Sequence, residues 1–136
     1  LLRMDCKRSV ILHVESGDLS VEEISEIAGC SPDLFRRKGD PGINPNRKLK
    51  VNVWEIREEV SREEYIGLAM ERFWPRVIPL KAGLTELSRR GGFIRLSLVQ
   101  WVSKEDPHEP GFGISGHELS FLVEIGALLD VDQYAD

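Results

Sequence analysis

Residues 35–41 read Phe-Arg-Arg-Lys-Gly-Asp-Pro, three cations running into a turn. The guanidinium forks of Arg36 and Arg37 match the geometry of a carboxylate or phosphate, and Lys38 adds a point charge. With Asp40 fixing the turn, this stretch could hold an anion or an acidic partner. It could equally blunt a sheet edge, because basic side chains discourage strand-to-strand pairing. It is no P-loop, since no glycine-rich cradle precedes the lysine and no Lys-Ser/Thr pair follows. Trp54 lies in the next strand pattern and would complete an anion-binding cleft if its indole faced Arg36, although a tryptophan that fills the sheet–helix core is the commoner arrangement. Asp130 and Asp132 alternate onto one face of a strand near the C-terminus, where they could meet a cation or a basic partner.

Other chemistry is poorly represented. His108, Glu109, His117 and Glu118 share the stretch 106–118. Their spacing matches no HExxH or paired-histidine helix, so no metal and no cofactor is expected. His13 sits mid-strand and is expected to be packed. No G-x-S-x-G elbow is present. Cys30 follows a helix C-terminus, whose partial negative charge opposes a thiolate. Glu58-Glu59 and Glu63-Glu64 fall at solvated positions. The chain therefore reads as leaning away from catalysis.

The chain has 136 residues, 41% of them hydrophobic and 30% charged, which suits one soluble globular domain. No apolar stretch is long enough to span a bilayer. The opening LLRMDCKR lacks the pattern of a signal peptide. With two cysteines and no CxxC, a reduced, cytoplasmic protein is expected.

Net charge is −5, but Arg36–Lys50 carries +5 and the remainder −10. Residues 104–136 alone carry −7. A dedicated nucleic-acid binder is thus disfavoured, and membrane association is not expected.

The elements that must position these residues can be read from period and punctuation. Ser20–Glu23, Ser61–Glu64 and Ser115–Glu118 each place Ser three residues before Glu, the pattern of a capping box. The first helix is expected over 21–28, stopped by Gly29. A second helical region runs over 62–89, broken near Pro75. The third covers about 116–125, burying Leu119, Leu122 and Ile125. Strands are expected at 8–15, 49–56, 93–102 and 128–135, with a short arm at 33–39 pairing with 49–56. The order β-α-β-β-α-β-α-β predicts an α+β fold. It is read as a ferredoxin-like split β-α-β sandwich, a mainly antiparallel sheet with helices on one face, extended by a C-terminal helix and strand.

Three motifs in this order resemble the bacterial family called domain of unknown function 4279. The first is Glu23-Ile24-Ser25 followed by Gly29 and Pro32. The second is Phe35-Arg36-Arg37-Lys38-Gly39-Asp40, with the strand tryptophan Trp54 after it. The third runs from Ser115 through Gly126-Ala127 and Asp130 to Tyr134. The insertion PGINPNRK and the proline-broken second helix depart from the family pattern. The resemblance implies architecture and no established activity.

Two functional expectations follow. The leading one is a non-catalytic interaction protein, in one version an immunity-type protein that meets a basic toxin with its acidic end. The other is a small-ligand binder or enzyme that holds an anionic substrate with Arg36, Arg37, Lys38 and Trp54. An exposed sheet face would also allow a homodimer.

Overall fold

The computed structural model describes residues 7–102, 105 and 111–135. Cys6, Lys104, Asp106, His108, Glu109 and Asp136 lie outside the described residues. The strands are β1 (Arg8–Ser16), β2 (Leu34–Arg36), β3 (Asn52–Val60), β4 (Phe93–Val102) and β5 (Leu128–Ala135). The helices are α1 (Val21–Ala28), α2 (Ile66–Val77), α3 (Lys81–Arg89) and α4 (Gly116–Glu124). This is an α+β fold, with one five-stranded sheet in the order β2-β3-β1-β4-β5. β1 is antiparallel to β3 and β4, and β2 is antiparallel to β3. Hence β1 and β2 run parallel with β3 between them. β5 runs parallel to β4, which the intervening α4 makes possible as a crossover.

The pleat divides each strand between two faces. Val10, Leu12 and Val14 of β1, Trp54 and Ile56 of β3, and Ile94, Leu96 and Leu98 of β4 join one core cluster with residues of all four helices. Ile11 and Val53, on the opposite face, lie outside that cluster. α1 forms because Ser20 accepts from the Glu23 amide and Glu23 returns to the Ser20 amide, while Gly29 ends it at φ 90°. α4 starts with the same box at Ser115 and Glu118. α1 and α3 approach closely at Gly83, where an added Cβ would stand 2.1 Å from the Ile27 carbonyl oxygen.

Several expectations need correction. Ser61 and Glu64 do not cap a helix: the Glu64 carboxylate accepts from the Ser61 amide and hydroxyl, and the Glu64 amide bonds back to the Ser61 carbonyl as a turn. The Glu64 carbonyl accepts from the guanidinium of Arg8, which is wholly buried at the start of β1. α2 then begins at Ile66 with no side-chain cap. Pro75 sits within α2, and the interruption falls instead at a 3-10 turn over Ile78–Leu80, which contains Pro79. β3 starts three residues later than expected and runs to Val60. Leu119 is 45% exposed; Phe121 takes its expected place in the core.

Candidate functional site

The basic turn is built as a local structure. Arg36 ends β2 opposite Val53, exposed on the face away from the helices. Arg37 donates twice to Glu22, both bonds at 2.8 Å, and its guanidinium lies 4.9 Å above the Phe35 ring. The hydrogen bond from Arg37 holds the Glu22 carboxyl below its usual range. The amide of Lys38 donates to Asn52 Oδ1, and its Nζ reaches the Gly17 carbonyl at 3.5 Å. Asp40 accepts from the Arg37 amide at 2.7 Å, closing the turn. The three cations therefore do not converge on a point.

Trp54 is not part of this surface. An anion-binding cleft would need its indole beside Arg36; instead it pairs with Phe35, Arg36 pairs with Val53 on the opposite face, and the indole joins the helix-side core. It is 0% exposed and donates from Nε1 to Ser25 Oγ at 3.0 Å. Trp74 is also in the core, whereas Trp101 lies on the other face, stacked on Tyr134 at 4.7 Å between ring centroids.

The face without helices carries a charged ladder. His13 of β1 pairs in register with Glu55 of β3 and Arg95 of β4. Its Nδ1 lies 2.8 Å from Glu55 Oε2 and its Nε2 2.7 Å from Glu15 Oε2. Both ring nitrogens thus lie within hydrogen-bond distance of a carboxylate oxygen, one on each side. Arg57 Nε donates to the second oxygen of Glu55 at 2.8 Å. Burial pushes the Glu55 carboxyl up, but the bonds from His13 and Arg57 outweigh it and the net shift is downward. His13 and Glu55 are 6% and 8% exposed, so the ladder is a closed network with its polar atoms spoken for. Among the described residues no group of His, Cys, Asp and Glu is placed to hold a metal ion.

The sequence reading expected a packed His13 and did not identify its partners. Glu55 and Arg57 belong to β3, and only strand order brings them to β1. The alternation of Ser9, His13 and Glu15 against Val10, Leu12 and Val14 was the available signal.

At the far edge, β5 presents Leu128, Asp130, Asp132 and Tyr134 on the ladder's face, opposite Arg95, Ser97, Val99 and Trp101. Asp130 and Asp132 are the sequence-selected acids, and neither has an ion pair with a described residue. Partial burial and the neighbouring Asp130 raise the Asp132 carboxyl, with Arg95 opposing them. Of the other acids of this end, Glu118 is engaged in its cap and Glu124 with Lys81 at 2.8 Å.

The sequence of residues 4–136 matches the family described as Domain of unknown function (DUF4279). The chain belongs to that family. No curated protein and no solved structure matches it. In this DUF4279 chain the closing motif, from Ser115 to Tyr134, builds α4 and β5. The first motif builds α1 with its glycine stop, and the second builds β2 and the basic turn. Among the described residues no helix is long and apolar enough to cross a membrane.

Proposed function

We propose that the chain is a small non-catalytic binding module of the cytoplasm, whose contact surface is the acidic β5 side of the open sheet face. The observation that carries this reading is the placement of Asp130 and Asp132. They stand two residues apart on an exposed edge strand, beside Leu128 and Tyr134, with no ion pair to a described residue. A partner bringing cations would relieve their mutual repulsion and bury the apolar neighbours. An immunity-type role, in which the module covers a basic enzyme, is the form of binding that this charge suits. Arg36–Lys38 gives less support to an anion-binding reading, because Arg37 is already neutralised by Glu22 and Trp54 is enclosed. Nucleic acid is disfavoured by the same acidic surface.

We further infer that the four strands β2-β3-β1-β4 form a ferredoxin-like split β-α-β unit, with α4 and β5 as its extension. In support, β3 separates the parallel pair β1 and β2, and β1 separates the parallel pair β3 and β4.

A photo-crosslinking residue at Tyr134, on the open face, with the same residue at Arg36 as a control, tests the surface in cells that naturally make the protein. A basic protein should be captured from Tyr134, and the adduct should disappear in D130K/D132K. Capture from Arg36 alone, or capture indifferent to charge reversal at β5, would overturn the reading.

A further inference from the structure

The two edges of the sheet differ in their protection. A strand edge offers unpaired amides and carbonyls, and proteins blunt such edges with short strands, bulges, prolines or cations. β2 spans three residues and passes straight into Arg37, Lys38 and the Gly39 turn. β5 spans eight residues in unbroken register with β4, from Leu128 opposite Arg95 to Ala135 opposite Val102. It holds no bulge, proline, lysine or arginine. Leu128, Leu129, Val131 and Tyr134 are 42–51% exposed. On α4, which precedes β5, Leu119 and Val123 are also exposed, the latter at 80%.

We propose that β5 is completed by an extended segment of a partner protein, added as a sixth strand, in which basic and apolar residues alternate. This rests on the reading of β5 as the contact surface and names how the partner is held. The alternation follows from the pleat. Asp130 and Asp132 point to the open face, so the added strand needs Lys or Arg on that side. Leu129 and Val131 point to the helix side, where they call for apolar residues. Backbone bonding to the free edge supplies affinity, and the alternating side chains supply specificity.

A second copy of the chain fits less well. Two β5 strands paired antiparallel about Val131 would set Asp130 against Asp132 of the copy, and a two-residue shift either way would set one aspartate against its own counterpart. Shifting the register by one residue would oppose apolar to acidic faces. Like charges directly opposite are destabilising, so a basic strand is the occupant the edge selects.

The test uses the full chain and four fluorescein-labelled peptides. One is acetyl-Thr-Lys-Val-Lys-Val-Lys-Thr-amide, the second has Glu for each Lys, and the N-methylated Lys peptide, methylated on alternate residues in either of the two phases, supplies the third and a fourth. The Lys peptide should bind at low salt and slow hydrogen exchange of the amides in 128–135. One phase of N-methylation should weaken binding by at least about tenfold, because it removes backbone donors while keeping every charge. The Glu peptide should not bind, and D130K/D132K should reverse the preference. Equal binding of both N-methylated peptides would overturn strand addition while leaving the acidic contact surface intact. Absence of binding by the Lys peptide would also overturn it, and the crosslinking experiment would still judge the surface separately. Concentration-dependent protection of β5 without peptide would make the second copy the occupant and overturn the proposal.

Discussion

Val14 and His13 are neighbours in β1, 0% and 6% exposed, and they are hidden from water in different ways. Val14 points into the helix-side core, where apolar contact covers it. His13 points to the face that contributes nothing to that cluster and is covered by Glu15 and Glu55, with Arg57 locking Glu55 in turn. The first kind of burial is non-directional and indifferent to pH. The second depends on donors, acceptors and ionisation, so it can be dismantled by acid while the first persists. One sheet is thus closed by hydrocarbon on one side and by a charge ladder on the other.

The largest expected effect comes from the hydrocarbon side. Trp54→Ala removes a fully buried indole and leaves Ser25 Oγ without its donor. The cost should be about 3–5 kcal/mol in urea denaturation, unchanged between neutral and acidic pH. A cost under about 1 kcal/mol would mean that Trp54 does not fill the core.

Glu55→Gln probes the other face and should cost about 2 kcal/mol at neutral pH. Its sign with pH is the sharper test. The Glu55 carboxyl is lowered in the folded state, from an ordinary value of 4.5. Its stabilisation is therefore present above the unfolded value and lost as pH falls through the folded one. The gap between wild type and Glu55→Gln should narrow as pH falls below 4.5, whereas the Trp54→Ala gap should not. A constant gap for both would erase the distinction between the faces.

What the sequence displayed of all this depends on the range of the interaction. α1, β4 and β5 appear over the residues expected, because strand alternation, Ser–Glu capping and a stopping glycine are all local signals. Ser61–Glu64 carries the same local signal and makes a turn, because Val60 is still paired with Arg8 in the sheet and Arg8 takes the Glu64 carbonyl. That competition is invisible without tertiary structure. Pro75 is tolerated within the last turn of α2, and the helical region is interrupted at the 3-10 turn that contains Pro79. The faces of β3 were legible as an alternation, though not which face met the helices, so Trp54 could be read as a surface residue. The ladder was least legible: His13 and Glu55 are 42 residues apart, and only the register brings them together. Asp130 and Asp132 were legible as a strand-face pair, since a spacing of two is itself local.

That acidic pair supplies the smallest expected effect, and one opposite in sign to Glu55→Gln. Asp132 lies on the same open face as the ladder, but its carboxyl is raised by partial burial and by Asp130, against the pull of Arg95. An acid whose folded value exceeds its unfolded value is harder to ionise in the folded protein. Its charge then works against folding above that value, and stability recovers as pH falls through it. Asp132→Asn should therefore raise the melting temperature at neutral pH, by about 1–2 °C for a domain of this size. The gain should vanish in acid, where Asp132 is protonated in both states. It should also shrink in high salt, which screens the two half-buried carboxylates from each other. A lowered melting temperature would mean that Arg95 governs Asp132 more strongly than Asp130 does. The edge would then hold its charge in balance, and a basic partner would have less to relieve there.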